Sequence, residues 1–184
     1  PSSSEEDEKH DGDGEQPKRG TSAASAVKKK QQKLRLACGQ DCENRATRYT
    51  CDSRACLCGD ECSNRPFNQL PTPKVKVQLT ENRGYGLFLQ QDVLAGDFIV
   101  EYMGEIVDDE ECSRRLLACK GKNEPNFYLM EITPSQIIDA RFCGNNARFI
   151  NSSCHPNCET QRWVDASNEE TRVGIFATEN IKAG

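Results

Sequence analysis

Long apolar segments are missing from this sequence. No stretch approaches the roughly 20 apolar residues that a membrane-spanning helix requires. Residues 5–8 are all acidic, in a region where a secretory signal peptide would carry a basic and then an apolar segment. The sequence therefore predicts neither a membrane protein nor a secreted precursor. Because it begins at Pro1 and stops at Gly184, we expect it to be a fragment of a longer protein.

The sequence also lacks the motifs of several large enzyme classes. It has two histidines, His10 and His155, and no H-E-x-x-H pair, so a zinc hydrolase is unsupported. Neither a G-x-S-x-G element nor a phosphate-binding P-loop is present. Residues 83–86 read R-G-Y-G, which lacks the third glycine and the following helix of a dinucleotide-binding fingerprint. Taken alone, this segment indicates a turn.

Basic residues are scarce outside the N-terminal part of the chain. Residues 1–36 hold seven acidic and eight basic residues, whereas the remainder holds 22 acidic and 16 basic ones. An acidic body is poorly suited to binding phosphates and favours a basic partner, such as a peptide rich in lysine and arginine. The exception is the basic run from Lys28 to Arg35, which could contact DNA or serve as a nuclear-import signal. We favour a solvated linker over either role.

Composition divides the chain into three parts. Residues 1–37 contain no cysteine and almost no large apolar residues, so we expect a disordered tail with acidic and basic runs. Residues 38–73 are rich in cysteine and too poor in apolar residues to form a hydrophobic core, so a covalent or metal link must hold them. Residues 74–184 carry the apolar pattern of a folded domain.

The third part is predicted to be rich in β-strands. The alternation of Val75, Val77 and Leu79 indicates a strand with one apolar face. Asp108 is placed to cap a helix that runs to about Lys120, with acidic residues in its first turn. Further strands are expected within 98–107 and at 127–132, 136–139, 160–164 and 172–177. The predicted fold class is mainly β with short helices (α+β), preceded by a small cysteine-rich module.

Six closely spaced cysteines indicate a metal site. Such intervals let thiolates converge on a tetrahedral zinc ion. The alternative is a disulfide knot, which would need an oxidising compartment and is disfavoured by the absent signal peptide and by three further scattered cysteines. One zinc ion is expected; two would need eight ligand bonds, which six thiolates supply only if two of them bridge. The six are Cys38, Cys42, Cys51, Cys56, Cys58 and Cys62.

The segment 148–158, R-F-I-N-S-S-C-H-P-N-C, combines small polar residues, a proline and two cysteines behind an apolar pair. Alone it is as readily a structural turn. Four motifs follow a cysteine-rich module in a fixed order: R-G-Y-G at 83–86, E-Y-M-G-E at 101–105, N-F-Y at 126–128 and this segment. Together they closely resemble the motifs of the SET-domain protein lysine methyltransferases. The resemblance covers residues 38–184. It implies that 38–73 is the "associated with SET" (AWS) zinc region and that 74–184 is a SET domain truncated at its C-terminus.

Within that family, the motifs look most like the nuclear-receptor-binding SET proteins and their relatives. The motifs that carry this likeness are E-Y-x-G-E, D-x-E-E-C, N-F-Y, I-I-D-A and N-C-E-T-Q-x-W. The resemblance implies a histone-lysine N-methyltransferase of the nucleus and chromatin that uses S-adenosylmethionine. It further implies histone H3 within the nucleosome as partner and lysine thirty-six of that histone as target.

The resemblance also implies roles for individual residues. Tyr102 and Tyr128 would line the channel through which the substrate lysine reaches the methyl group, and Cys154 would bind a further zinc ion. Asn151 would lie in a buried cofactor pocket. The residues expected to hold S-adenosylmethionine are Arg83, Gly84, Tyr85, Asn126, Phe127, Tyr128, Asn151 and Ser152.

Three departures from the family pattern affect these expectations. Ser152 stands where the family usually has histidine, and no C-x-C pair precedes Cys38. The chain also stops before the segment that bears the family's catalytic tyrosine. We therefore expect the 184-residue fragment to be inactive. The alternative is a catalytically silent zinc and SET module that binds chromatin or protein partners; a secreted disulfide-rich binding domain is a third reading.

Overall fold

The computed structural model describes residues 38–39, 41–121 and 126–184. The predicted tail, 1–37, and its basic run lie outside the described residues. Within the described part of the chain, no helix combines the length and the apolar character needed to cross a bilayer.

Strands dominate the described residues, as the fold-class prediction requires. The helices are short, at Glu43–Ala46 (α1), Pro66–Gln69 (α2) and Asp109–Gly121 (α3), with single 3-10 turns at Gly59–Glu61 and Asn146–Phe149. The strands are Val75–Leu79 (β1), Tyr85–Leu89 (β2), Phe98–Glu101 (β3), Glu105–Val107 (β4), Leu129–Thr133 (β5), Gln136–Asp139 (β6), Cys158–Val164 (β7) and Thr171–Ala177 (β8).

Most predicted elements are found where the sequence placed them. The predicted cap of α3 is confirmed, because the Asp108 carboxylate accepts a hydrogen bond from the Glu111 amide at 2.8 Å. Strand β6 has the predicted bounds, whereas β5 begins at Leu129, two residues later than predicted. Strand β1 is found, but its apolar face is incomplete: Val75 and Val77 are half-buried and Leu79 is 72% exposed. Leu79 is the last residue of β1, and the two-stranded sheet leaves its side chain uncovered.

The strands form three small antiparallel sheets, ordered β1-β2, β3-β8-β7 and β4-β6-β5. Strand β8 is the centre of the second sheet and is buried almost throughout. The turn from β3 to β4 brings the second and third sheets together. A Cβ atom on Gly104, in that turn, would lie 2.5 Å from Ile138 Cγ2 and 2.6 Å from the Asp139 carbonyl oxygen, so only glycine fits there.

Aromatic packing joins the cysteine-rich segment to the second sheet. Phe67, on α2, contacts Phe98 edge-on with ring centroids 5.5 Å apart, and Trp163 at 6.4 Å. Trp163 stacks on Phe176 at 6.0 Å. A backbone hydrogen bond from the Thr50 amide to the Val164 carbonyl, 2.9 Å long, adds a second connection. The cysteine-rich segment is therefore anchored to the sheet through α2 and through residues 49–50.

Candidate functional site

Four thiols of the cysteine-rich segment converge on one point. Their sulfur atoms all lie within 4.8 Å of one another, and two of the four residues are buried. Cys38 Sγ lies 4.0 Å from Cys51 Sγ and 3.5 Å from Cys56 Sγ. Sulfurs bound at about 2.3 Å around a tetrahedral zinc ion would be about 3.8 Å apart, so the group fits zinc. Its members are Cys38, Cys51, Cys56 and Cys62.

Two asparagines prepare one of these thiols for a metal. The side-chain amides of Asn44 and Asn64 donate to Cys51 Sγ at 3.4 and 3.3 Å. Burial alone would raise the pKa of the Cys51 thiol, but hydrogen bonds from these amides, with smaller contributions from Cys62 and Cys38, lower that pKa to about 7. Zinc binds the thiolate form, so the hydrogen bonds favour the ligand state. Nothing in the sequence pattern pointed to either asparagine.

The remaining predicted zinc ligands are not members of this group, but two of them lie close to it. Cys58 Sγ lies 3.6 Å from Cys38 Sγ, and Cys42 also interacts with the Cys38 thiol. Cys38 is therefore one of the two thiols that a second ion would have to share. Cys154 is exposed and does not belong to the group. All eleven cysteines lie in the described residues and none forms a disulfide, so the disulfide-knot alternative has no support in the structure.

The predicted cofactor-binding segments meet, although they are far apart in sequence. The Arg83 guanidinium donates to the Ser152 carbonyl oxygen at 2.6 Å. The Asn151 side-chain amide donates to the Tyr85 carbonyl oxygen at 3.0 Å. Gly84 has a φ of +67°, a left-handed conformation that glycine adopts freely, and its carbonyl accepts the Thr80 amide at 2.7 Å. The R-G-Y-G turn is thus fastened to the segment 151–152.

One aromatic ring connects this pair of segments to the third. Tyr85 and Tyr128 both pack edge-on against Phe149, with centroid distances of 6.0 and 6.3 Å. The Arg148 guanidinium lies 4.9 Å from the Phe149 ring centroid and 5.4 Å from that of Tyr128. Neither Phe149 nor Arg148 was singled out by the sequence interpretation, although both lie inside the motif at 148–158.

This part of the molecule is more open than the sequence interpretation expected. Asn151 is exposed, not buried, because its side chain lies on the surface against the β2 backbone. Tyr85 is 58% and Phe127 is 46% exposed, so two aromatic rings have uncovered faces. Asn151 also lines a cleft of about 280 Å³. S-adenosylmethionine contains a nucleoside, and exposed aromatic rings beside backbone polar groups fit such a ligand.

Tyr102 lies between this open region and the protein interior. It is 8% exposed and packs in a core cluster with Ile132, Ile138 and Val173, against which Tyr128 also packs. Burial raises the pKa of the Tyr102 hydroxyl, so the hydroxyl keeps its proton at neutral pH. The structure therefore brings the two predicted channel tyrosines, Tyr102 and Tyr128, into one cluster.

Two protein-family models match this chain. Residues 84–184 match the family model of the SET domain, and residues 33–69 match that of the AWS domain. The chain is 46% identical over 147 residues to the histone-lysine N-methyltransferase ASHH3 of Arabidopsis thaliana, covering 80% of the chain and 40% of that protein. It is 42% identical over 149 residues to mouse histone-lysine N-methyltransferase NSD3, covering 80% of the chain and 10% of that protein.

A human protein named histone-lysine N-methyltransferase, H3 lysine-36 specific, is 43% identical over 149 residues, which is 80% of the chain and 6% of that protein. The chain thus spans about two fifths of the length of ASHH3 and much less of the two mammalian relatives. The SET match covers more than half of the chain. The chain therefore belongs to the SET-domain family and carries an AWS domain ahead of its SET domain.

Proposed function

We propose that this chain is part of a protein-lysine methyltransferase that transfers a methyl group from S-adenosylmethionine to histone H3, at lysine thirty-six. The observation that carries the proposal is the convergence of three separate segments, 83–85, 126–128 and 151–152, around Phe149 beside the buried Tyr102. Three relatives that bear the name histone-lysine N-methyltransferase support the reaction class, and one of them supports the target lysine.

The proposed binding roles are supported by contacts between these segments. Arg83, Gly84 and Tyr85 form one wall of the proposed cofactor site, and Asn151 and Ser152 hold that wall in place. When bound there, S-adenosylmethionine supplies an electrophilic methyl group on a sulfonium sulfur. Tyr85 and Phe127 offer exposed ring faces for its base, with Asn126 and Tyr128 beside them.

The chemical roles fall to the tyrosines. The lysine nitrogen forms the new carbon–nitrogen bond while the carbon–sulfur bond breaks, so the amine must be unprotonated and aligned in line with that bond. Tyr102, Ile138 and Val173 provide an apolar environment. Such an environment disfavours the ammonium form of the substrate lysine. The hydroxyls of Tyr102 and Tyr128 can hydrogen-bond the amine and fix its direction, while burial of Tyr102 excludes water.

Ser152 carries the strongest argument for a catalytically silent module. The family usually has histidine there, and a serine cannot reproduce an imidazole. The contact that Ser152 makes to Arg83, however, uses its backbone carbonyl, which any residue provides. Serine in place of the usual histidine therefore leaves the contact to Arg83 intact, which favours the enzyme over the silent module.

The zinc site has a structural role in this proposal. Cys38, Cys51, Cys56 and Cys62 would hold one ion, with Cys42 and Cys58 nearby and Cys154 contributing to a separate site. A histone substrate implies location in the nucleus on chromatin. The basic run from Lys28 to Arg35 could add a salt-dependent contact to DNA there, although we favour a solvated linker. In this proposal, residues 1–37 form the tail, residues 38–73 the zinc region and residues 74–184 the SET domain.

A methyl-transfer assay tests the proposal. The full-length protein that contains these residues is incubated with tritium-labelled S-adenosylmethionine and recombinant nucleosomes. The matched control carries arginine in place of lysine thirty-six of histone H3. We expect label on histone H3 with the natural nucleosome and a large loss of label with the control. Equal labelling of both would reject the target lysine, and no labelling of any histone would favour the silent module.

A further inference from the structure

Strand β3 ends at Glu101, one residue before the proposed channel residue Tyr102. The peptide group between them is held on one side, because the Tyr102 amide donates to the Val173 carbonyl oxygen of β8 at 2.8 Å. In a trans peptide the carbonyl points away from the amide, so the Glu101 carbonyl faces away from β8. Because β3 is an edge strand in the order β3-β8-β7, no described strand pairs with that carbonyl.

The side chain of Asn145 supplies the missing partner. Its amide group donates to the Glu101 carbonyl oxygen at 2.7 Å, although the two residues are 44 positions apart. The carbonyl oxygen of the same side chain accepts a hydrogen bond from the Ala147 amide at 3.2 Å and caps the 3-10 turn Asn146–Phe149. One side chain thus uses its donor on β3 and its acceptor on the turn.

The backbone around Asn145 is fixed by close packing. Ala147 is fully buried, in the same core cluster as Tyr102. A Cβ atom on Gly144 would lie 2.7 Å from the Ala140 carbonyl oxygen, so the position before Asn145 requires glycine. The Asn145 side chain therefore starts from a fixed position between β3 and the turn.

The two elements that Asn145 joins serve different halves of the proposed site. Strand β3 leads to Tyr102 in the lysine channel, and the turn ends at Phe149, the ring against which Tyr85 packs. Methyl transfer needs the attacking amine in line with the carbon–sulfur bond, and a misplacement of about 1 Å can cost about a hundredfold in rate. A link between the two halves therefore affects the rate of the reaction and not only stability.

We infer that Asn145 is a positioning residue that holds the lysine channel and the cofactor wall in one relative geometry. It does so through its hydrogen bonds to Glu101 and to the Asn146–Phe149 turn. The inference rests on the proposed function, because it assigns a positioning residue to that reaction. The two hydrogen bonds have separable effects: the first sets the position of Tyr102, and the second sets that of Phe149.

Three substitutions separate the two hydrogen bonds. Asn145→Asp and Asn145→Ser keep an oxygen that can cap the turn. Neither can donate to the Glu101 carbonyl, because a carboxylate has no N–H group and the serine side chain is too short to reach it. Asn145→Ala removes both hydrogen bonds. The matched control is Asn146→Ala, which changes an exposed neighbour in the same turn.

Kinetics and calorimetry of the full-length protein give kcat per folded molecule and the Kd of S-adenosylmethionine. We expect Asn145→Asp and Asn145→Ser to lower kcat about tenfold and to change the cofactor Kd less than about twofold. Asn145→Ala should lower kcat as well and raise the cofactor Kd about three- to fivefold, because the turn loses its cap. The control should change neither quantity more than about twofold. Agreement between the neutral and the charged substitution excludes an effect of the new charge.

A spectroscopic readout tests the link without catalysis. Incorporation of 3-fluorotyrosine into the 184-residue chain gives one fluorine-19 resonance for each tyrosine, and replacing each tyrosine with phenylalanine assigns them. We expect Asn145→Ser to shift or broaden the Tyr102 resonance and to leave that of the distant control Tyr49 unchanged. The chain has four tyrosines, Tyr49, Tyr85, Tyr102 and Tyr128.

The two readouts distinguish failure of this inference from failure of the proposed function. An unchanged Tyr102 resonance in Asn145→Ser would overturn the inference, and so would lower stability with a normal kcat per folded molecule. A changed Tyr102 resonance in a protein without methyl transfer would support the link and reject the enzyme. Methyl transfer with an unchanged resonance and an unchanged kcat in the variants would reject the role of Asn145 alone.

Discussion

Phe149 is the residue around which the candidate cofactor site is arranged. Two tyrosines from different segments pack edge-on against its ring, and Arg148 covers it. Replacing one partner therefore changes the position of a segment, not only a single contact. The individual residues that hold the segments together provide the first predictions.

Replacing Asn151 with alanine is expected to weaken S-adenosylmethionine binding by about 1 kcal/mol, or roughly fivefold, because the Tyr85 carbonyl loses its hydrogen bond. Isothermal titration calorimetry measures the change. Asn168→Ala is the matched control, since that exposed side chain also makes one hydrogen bond to the backbone but lies in the β7–β8 turn. Unchanged cofactor affinity in folded Asn151→Ala would remove Asn151 from the site.

Replacing Tyr102 with phenylalanine should lower the kcat of the full-length enzyme at least about tenfold while leaving cofactor affinity unchanged. The ring and its packing remain, and only the hydroxyl that would orient the lysine amine is lost. Steady-state kinetics with labelled cofactor give kcat, and calorimetry gives the affinity. Tyr49→Phe removes a hydroxyl from a 46% exposed ring and is the control. A fall in cofactor affinity with unchanged kcat would contradict the assigned role.

Buried charge links three of the secondary-structure elements. Asp139, at the end of β6, has a side chain only 1% exposed and lies 2.9 Å from Arg115 of α3 and 2.7 Å from Arg141. Burial opposes ionisation of Asp139, but hydrogen bonds from Arg141 and Arg115 outweigh it and lower its pKa to about 2. Arg115 also contacts Glu105 of β4 at 2.8 Å. Helix α3 is thus fastened to the third sheet through charge.

Asp139→Asn should therefore destabilise the protein by about 2 kcal/mol near neutral pH. Because the folded state lowers the pKa of Asp139, its contribution is complete above about pH 4 and is lost as pH falls to about 2. The difference between the variant and the natural chain should narrow over that window. Urea unfolding at several pH values measures it, with Asp92→Asn, an exposed partner of Lys182, as control. A pH-independent difference would show that the carboxylate charge is not responsible.

Zinc should hold the cysteine-rich segment as an ordered element. Cys51→Ser removes a ligand from the four-thiol group and should reduce bound zinc below about half an equivalent per chain. The control is Cys143→Ser, which replaces an exposed cysteine outside the group and should leave about one equivalent. Elemental analysis of samples never exposed to chelator measures the metal. Hydrogen exchange of the variant should show protection lost over 41–65 and kept in β8. Less than about half an equivalent in the natural chain would contradict the zinc reading.

The secondary structure was largely predictable because its signals are local. The carboxylate of Asp108, the acidic first turn of α3 and the strand alternations act within a few residues. The start of β5 was predicted early, since residues 126–128 have the composition of a strand but lie outside it. The Tyr128 carbonyl accepts a hydrogen bond from the Ala140 amide at 2.8 Å, and the Tyr128 ring packs against Phe149. Family motifs indicated two segments, 83–85 and 151–152, that the structure brings into contact.

Interactions between distant residues could not be predicted in the same way. The Arg83 contact to Ser152 joins positions 69 residues apart and ends on a backbone oxygen, which leaves no trace in residue type. The amides on Cys51 and the arginines on Asp139 depend on side-chain directions that only the folded chain defines. The exposure of Asn151 was missed for the same reason.

The molecule as a whole joins a metal-binding segment and three small sheets. The aromatic contact from Phe67 to Phe98 and Trp163 ties the cysteine-rich segment to the second sheet, and the Asp139 cluster ties α3 to the third. Tyr102 lies where the second and third sheets meet, because Gly104 allows their close approach. We propose that this junction presents one site for S-adenosylmethionine, built from 83–85, 126–128 and 151–152.

Photo-crosslinking tests that claim directly. The full-length protein is irradiated with radiolabelled S-adenosylmethionine, digested, and the labelled peptides are identified by mass spectrometry, with excess unlabelled cofactor as the competition control. We predict that competable label falls on peptides that contain Tyr85, 126–128 or 149–152, and that Asn151→Ala reduces it. Competable label confined to other segments, such as 38–69, would show that S-adenosylmethionine binds elsewhere.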